Sequence, residues 1–391
     1  MISRDFSELF NSYLAQFPAV LIMGARQVGK TTFLKNHLKK THNYVLFENP
    51  DTRELAINDP KTFFKNNPAP LIIDEFQYAP QLVNYLQELI DNNRKLKGQY
   101  ILTGSQNFQM MSQVTQSLAG RVGILTIYGL SSSELKLQNV SSKNKIGELM
   151  LKGFYPEIWS EPNISSYLWY SSYVQTFLER DLYRLSEVGD LQAFNKFLKL
   201  AALRTGQVLN YADLAADCSI SPPTAQKWIS ILERAYVIKL VSPYINNATS
   251  RVKKAKKLYF LDPGLACYLM GYRSVDAILE GPHSGALFET LVYSDFIKRY
   301  SIENDVEDIF YLQTKSKVGV DFVILKNQKR HFCEVKFSST YSNNLTEQLT
   351  RTHKEFKNKD FLYLVMLTEK NFDTKIRIDH IQVKNWDFNI K

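Results

Sequence analysis

A glycine-rich loop at residues 24–32 limits the folds open to this chain. It reads Gly-Ala-Arg-Gln-Val-Gly-Lys-Thr-Thr, the G-x-x-x-x-G-K-[ST] form of a phosphate-binding loop. An apolar, strand-compatible run at residues 19–23 precedes the loop, and Phe33, Leu34 and Leu38 follow it at helical spacing. The glycines therefore fall on a strand-to-helix turn, which predicts a P-loop domain of the α/β class.

Each group of this loop has an expected role in binding ATP. Gly24 and Gly29 let backbone amides close around the phosphates, and the following helix directs its positive end at them. Lys30 is expected to reach the β- and γ-phosphate oxygens, and Thr31 to ligate Mg²⁺. The predicted nucleotide-binding residues of the loop are Gly24, Ala25, Arg26, Gln27, Val28, Gly29, Lys30, Thr31 and Thr32.

A second catalytic element follows at residues 71–75, where an apolar run ends in two acids. Asp74 is expected to hold the Mg²⁺ shell, and Glu75 to orient or deprotonate the water that attacks the γ-phosphate. A third run at residues 100–106 ends in hydroxyl and amide groups, of which Ser105 is expected to contact the nucleotide.

Arg121 has two interpretations of equal weight. It can act as an arginine finger on a neighbouring subunit's nucleotide, or it can be an ordinary surface arginine.

Composition indicates an ordered protein with room for two or three domains, since 45% of its 391 residues are hydrophobic and 22% are charged. The 48 Lys and Arg exceed the 39 Asp and Glu, and the resulting net charge of +9 favours an acidic partner such as nucleic acid. Its three cysteines lack metal-ligand spacing, which fits a reducing compartment. No apolar run approaches the ~20 residues that span a bilayer. We therefore expect a cytoplasmic protein without a membrane partner.

Residues 208–240 have the pattern of a helix-turn-helix. Leu214 and Ala215 belong to its first helix, and Ser221 caps the second helix with Pro222 at its first position. The second helix is expected to bury Ala225, Trp228, Ile229 and Leu232 and to present Thr224, Gln226, Lys227, Ser230 and Arg234 to a DNA groove.

Two predicted strands at residues 236–243 and 256–261 form a wing after these helices. The basic and amide residues of their connection suit phosphate contact: Asn246, Asn247, Arg251, Lys253 and Lys254. The alternative is that this module serves structure or protein docking.

A predicted hairpin at residues 317–337 holds the second catalytic candidate. A turn centred between Asn327 and Gln328 places Asp321 opposite Glu334, with Lys336 on the same face. A register shifted by two residues pairs Asp321 with Lys336 instead. Apolar residues on both faces indicate a central position in a sheet.

Opposed carboxylates on this hairpin repel and call for a cation, which is either Mg²⁺ or Lys336 itself. Asp321 and Glu334 as metal ligands, with Lys336 positioning water, form the D…E-x-K arrangement of nucleases. Glu289, which borders the apolar stripe of a helix, is a candidate fourth member. The alternative is a degenerate nuclease fold stabilised by a lysine–carboxylate pair.

Taken together, these motifs resemble those of prokaryotic AAA-type ATPases that carry a C-terminal domain of unknown function with winged-helix and restriction-endonuclease-like parts. The resemblance covers nearly the whole chain. The matching segments are residues 24–32, 74–75, 102–105, 118–121, 155–157, 178–181, 258–262, 320–322 and 334–336. Among the departures, Gly319 stands where relatives often have an acid.

The resemblance implies an AAA-like P-loop ATPase domain at residues 1–150 and a helical connector at 151–197. It further implies a winged helix at 198–265 and a PD-(D/E)xK nuclease-like domain at 266–391. The leading hypothesis is an ATPase whose nucleotide state controls a DNA-engaging module, with DNA cleavage as an optional extension. The alternative is a nucleotide-dependent switch that does not turn over and docks a protein. AAA-like relatives indicate an oligomer, and a monomer is the alternative.

Overall fold

The computed structural model describes residues 2–104, 116–137, 139–177, 190–245, 254–303, 306–314, 318–356, 360–376 and 379–390. The chain divides into two compact units, Arg4–Gly129 and a unit that includes Leu130–Lys391. Residues 130–150, which the sequence assigns to the N-terminal domain, pack with the second unit instead. There the backbone N–H of Ser132 donates to Asp295 Oδ1 at 2.7 Å.

Helices and strands alternate along the first unit. In chain order its described elements are α1 (Ser7–Gln16), β1 (Ala19–Met23), α2 (Lys30–His37), β2 (Asn43–Leu46), α3 (Pro50–Asn58), α4 (Pro60–Asn66), β3 (Leu71–Asp74), α5 (Val83–Asn92), β4 (Tyr100–Gly104) and β5 (Val122–Thr126). The predicted strand-to-helix position of the glycine-rich loop is confirmed, because the loop connects β1 to α2.

A five-stranded parallel sheet in the order β2-β3-β4-β1-β5 forms the centre of this unit. Strand β3 is buried along its whole length, as expected for a parallel strand covered on both faces. The register pairs Met23 with Gly104 and Ile73 with Leu102. Because parallel strands end at one edge, the glycine-rich loop, Asp74 and Thr103 meet at that edge.

The second unit begins with helices and a small sheet. Its first described elements are α6 (Lys143–Lys152), α7 (Pro156–Ser160), α8 (Ser166–Tyr173), α9 (Leu191–Ala202), β6 (Gln207–Val208), α10 (Tyr211–Cys218), α11 (Pro222–Arg234), β7 (Ile238–Val241) and β8 (Lys257–Phe260). The three strands form an antiparallel sheet in the order β6-β8-β7.

Helices α10 and α11 follow the predicted pattern. Ser219 ends α10 in the left-handed conformation, and Ser221 caps α11 by accepting a hydrogen bond from the Thr224 backbone N–H at 3.2 Å. The four predicted core residues of α11 are buried, and Ile231 joins them. Gln226, Lys227 and Arg234 are exposed, whereas Thr224 and Ser230 are half-buried.

The C-terminal part is a mixed sheet flanked by helices. Its described elements are α12 (Pro263–Met270), α13 (Val275–Glu280), α14 (Ser284–Tyr300), β9 (Val306–Gln313), β10 (Gly319–Lys326), β11 (Lys329–Val335), α15 (Glu347–Phe356), β12 (Phe361–Met366), β13 (Phe372–Ile376) and β14 (Asp379–Asn385). The sheet order is β13-β14-β12-β11-β10-β9, so the predicted hairpin of β10 and β11 lies in its interior.

The turn of this hairpin confirms the first of the two predicted registers. Asn327 and Gln328 have φ angles of 51° and 60°, as a two-residue hairpin turn requires. Phe322 pairs with Cys333, and continuing this register by one position places Asp321 opposite Glu334.

Several predicted residues lie outside the described part of the chain. They are Ser105, residues 178–189 of the predicted connector, and the wing residues Asn246, Asn247, Arg251 and Lys253. None of the described helices combines the length and the hydrophobicity needed to cross a bilayer.

Candidate functional site

The glycine-rich loop is held by close backbone approaches. Gly24 has a φ of 142° and Gly29 a φ of 90°, conformations that glycine adopts without strain. A Cβ at Gly24 would collide with the backbone oxygen of Ile127, just beyond β5. Ala25 and Val28 are buried. The loop therefore presents its backbone, with little side-chain bulk, beside the start of α2.

Lys30 begins α2 and points back into the loop. Its Nζ donates to the backbone oxygens of Gly24 at 2.9 Å and Ala25 at 2.7 Å, and the residue is 6% exposed. Burial lowers the pKa of Lys30 to about 8, against the opposing effect of the Glu75 and Asp74 charges. A buried ammonium beside a helix N-terminus fits the phosphates of a nucleotide.

Three hydroxyl groups converge on Asp74. Thr31 Oγ1 donates to Oδ2 at 2.7 Å, the Tyr44 hydroxyl donates to the same oxygen at 2.6 Å, and Thr103 donates to Oδ1. Thr103 Oγ1 also accepts from the backbone N–H of Glu75 at 3.1 Å. Hydroxyl and carboxylate oxygens are the ligands that Mg²⁺ prefers, so this group fits a magnesium ion held between Thr31 and Asp74.

Glu75 follows the end of β3 in the left-handed conformation, with a φ of 58°. The Gln77 side-chain amide donates to its Oε2. Burial raises the pKa of Glu75 above its ordinary value, while the hydrogen bond from Gln77 and the charge of Lys30 oppose the rise. A carboxylate with a raised pKa beside the phosphate loop has the properties of a general base.

Three further residues of the glycine-rich loop were predicted to bind the nucleotide, and the structure places each of them. Arg26 lies 3.7 Å from Glu48, and the Thr32 backbone oxygen accepts a hydrogen bond within α2. Gln27 takes a left-handed conformation in the loop.

Arg121 is held by Asp91 of its own unit. Its Nε contacts Asp91 Oδ1 at 2.7 Å, and its second terminal nitrogen contacts Oδ2 at 2.8 Å. To reach a nucleotide on another subunit, Arg121 has to leave this bidentate pair.

A second group of charges lies in the C-terminal unit, where Lys257 of β8 reaches Glu289 of α14 and Asp321 of β10. Its Nζ is 3.1 Å from Glu289 Oε1 and 3.4 Å from Asp321 Oδ1. The Tyr259 hydroxyl donates to Glu289 Oε1, and the Val335 backbone N–H donates to Asp321 Oδ2 at 2.9 Å. The sequence prediction grouped Glu289 with Asp321 but did not include Lys257, which contacts both of them.

Glu334 and Lys336 form a separate pair at 2.6 Å in the same region. Burial and the Asp321 charge raise the pKa of Glu334, while Lys336 opposes the rise. The pKa of Glu289 is raised for the same two reasons, with Lys257 in opposition. Within the described ranges, no three His, Cys, Asp or Glu side chains are arranged to hold a metal ion. The predicted metal ligands Asp321 and Glu334 instead pair with Lys257 and Lys336 in this structure.

Sequence reasoning did not identify Tyr44, Gln77, Lys257 or Tyr259 as site residues. Tyr44 acts from a neighbouring strand, so it can be found only once the strand order is known. Lys257 and Tyr259 were placed on the wing, and their two-residue spacing on one strand face was the available signal.

Comparison with protein families agrees with this geometry for the first unit. Residues 16–136 match the family described as an AAA domain. Residues 143–276 and 284–386 match two families described as domains of unknown function, DUF8612 and DUF4143. The glycine-rich loop, the parallel sheet and the AAA match together define an AAA-type P-loop domain, followed by regions whose families have no assigned role.

Curated relatives extend along most of the chain. An uncharacterised protein of Mycobacterium tuberculosis is 28% identical over 342 residues, which cover 87% of this chain and 75% of the relative. An uncharacterised protein of Haemophilus influenzae is 22% identical, covering 80% of this chain and 75% of the relative.

Among solved structures, a STAND protein with a tetratricopeptide repeat sensor from Pyrococcus horikoshii aligns at 12% identity with a TM-score of 0.30. The alignment covers 78% of this chain and 48% of that protein, so the chain spans about half of its length.

Proposed function

We propose that this protein binds ATP and hydrolyses it with Mg²⁺, and that its nucleotide state controls a DNA-engaging module in the C-terminal unit. The convergence of Lys30, Thr31, Asp74 and Glu75 at one edge of the parallel sheet carries the proposal. An AAA match over residues 16–136 supports the same chemistry.

Each side chain of this group has a separate role in the proposed reaction. Lys30 exchanges its loop carbonyl partners for phosphate oxygens, while the backbone amides at the start of α2 bind the same group. Thr31 and Asp74 would hold Mg²⁺, which supplies positive charge to the β- and γ-phosphates. Glu75 accepts a proton from the attacking water, and Gln77 orients its carboxylate.

Nucleotide binding is tested by Lys30→Met, with the exposed Lys95→Met as a matched control. The first change is expected to remove binding of a fluorescent ATP analogue, because it deletes the buried phosphate-facing charge, while the control binds normally. Equal affinities in the two variants would contradict the proposed role of the loop.

The DNA-engaging part of the proposal rests on elements α9 to β8. Helix α9, strand β6, helices α10 and α11 and strands β7 and β8 follow one another in the order of a winged helix. Gln226, Lys227 and Arg234 lie on the exposed face of α11, and Lys254 is exposed before β8. These groups suit base edges and phosphates, and the net charge of +9 favours the same partner.

Protein docking by the same helices is the competing role. Binding to DNA falls steeply with salt because condensed counterions are released, whereas protein docking need not depend on phosphates.

We further propose a cytoplasmic location and an oligomer in which Arg121 leaves Asp91 to reach a neighbouring nucleotide.

A further inference from the structure

We propose that Lys257 is the resident cation of the carboxylate group formed by Glu289 and Asp321, so that this group takes no divalent metal. Instead, the group joins the small sheet of the winged-helix module to the C-terminal sheet. The inference refines the proposed DNA-engaging module, and it rests on that assignment for its biological meaning.

The position of Lys257 carries the argument. It comes from β8 of the small sheet, whereas Glu289 comes from α14 and Asp321 from β10 of the large sheet. The Nζ atom lies within 3.4 Å of a carboxylate oxygen from each. All three side chains are largely buried, at 15%, 15% and 17% exposed. A buried ammonium at this distance attracts both carboxylates, which would otherwise repel each other.

Besides Lys257, other donors already bind one oxygen of each carboxylate. Tyr259 donates to Glu289, the Val335 backbone N–H donates to Asp321 Oδ2, and Lys336 binds Glu334 Oε1. Mg²⁺ requires oxygen ligands at about 2.0–2.1 Å in near-octahedral order. The lysine would have to leave before a metal could take that place, so these residues as arranged do not fit a metal.

Uncharged contacts also join the small sheet to the C-terminal sheet and its helix α14. Tyr311 of β9 donates its hydroxyl to the backbone oxygen of Ala255 at 2.7 Å, and its backbone pairs with Pro243 after β7. The Tyr259 ring stacks on Tyr293 with centroids 4.5 Å apart. Lys257 thus adds a charged contact to a junction that the segments flanking β7 and β8 already make with β9. The consequence is a module that binds DNA without metal-dependent cleavage.

The first test measures Mn²⁺ binding to the full-length protein and to Asp321→Asn in the absence of nucleotide. Mn²⁺ bound near the P-loop contributes equally to both proteins and cancels in the comparison. The proposal predicts identical titrations. Loss of a Mn²⁺ site in Asp321→Asn would overturn it.

The second test measures thermal unfolding of Lys257→Met, Lys257→Met/Glu289→Gln and a control, Lys239→Met, which removes an exposed lysine from the adjacent strand β7. Removing Lys257 leaves two carboxylates uncompensated, so the melting temperature should fall by about 5 °C or more. Neutralising Glu289 as well should restore part of that loss, and the control should melt like the parent.

A Lys257→Met protein as stable as the Lys239→Met control would overturn the proposed junction. Both tests are independent of ATP turnover and of DNA binding, so a failure of the proposed function does not affect their outcome.

Discussion

The Tyr44 hydroxyl donates to Asp74 Oδ2 at 2.6 Å, on the same oxygen that receives the Thr31 hydroxyl. Tyr44 belongs to β2, which pairs with β3 so that Tyr44 lies beside Ile72. The Lys35 ammonium lies 4.3 Å from the centre of its ring. Tyr44 therefore helps to fix the Asp74 carboxylate from a strand that carries no recognised motif.

Tyr44→Phe should lower the free energy of unfolding of the nucleotide-free protein by about 1–2 kcal/mol. The change removes one hydrogen bond to a charged group and leaves the ring in place. Denaturant unfolding measures the effect, with Tyr85→Phe at an exposed position of α5 as the control. Unchanged stability in Tyr44→Phe would show that its hydroxyl does not anchor Asp74.

ATP affinity should weaken as the pH rises through about 8, because burial lowers the pKa of Lys30 to about 8. The protonated amine binds phosphate, so deprotonation removes the attraction. One unit above that pKa, the affinity for a non-hydrolysable ATP analogue should be roughly tenfold weaker. A flat profile in the parent between about pH 7 and about pH 9 would contradict the assignment.

Glu75→Gln should retain ATP and lose turnover. General-base catalysis contributes roughly 10²–10⁴-fold, so phosphate release should fall by that order while ATP affinity stays near the parent value. Glu88→Gln, on the exposed face of α5, provides the matched control. If Glu75→Gln turns ATP over as fast as this control, Glu75 is not the base.

DNA binding should depend on the exposed lysines of the proposed winged-helix module. Each lysine that neutralises a DNA phosphate adds about 0.9 to the slope of log affinity against log salt, so Lys227→Glu and Lys254→Glu should both weaken binding and flatten its salt dependence. Lys97→Glu in the other unit makes the same change of charge and should have no such effect. Salt-independent binding by the parent would favour a protein partner.

Local patterns predicted several of the elements that carry the candidate functional residues. The glycine-rich loop, the apolar run before Asp74 and the capped helix after Ser221 are specified by neighbouring residues, and the structure places them as expected. The Asn327-Gln328 turn likewise fixes the hairpin register, because two left-handed residues define a two-residue turn.

Local sequence patterns did not predict the contacts between distant segments. Tyr44 meets Asp74 only because β2 lies beside β3, and Lys257 meets Asp321 across 64 positions of sequence. Neither strand order nor the packing of two sheets is encoded in a local pattern. The sequence therefore predicted a cation for the carboxylates but could not identify Lys257 as the one that lies there.

Control of DNA engagement by the nucleotide state is tested most directly with the Glu75→Gln protein, which should hold ATP without hydrolysing it. DNA affinity is measured by fluorescence anisotropy with ATP, with ADP and without nucleotide at one salt concentration. We predict that the ATP and ADP affinities differ by about fivefold or more, the usual range of allosteric coupling. Equal affinities in all three states would contradict the proposed control.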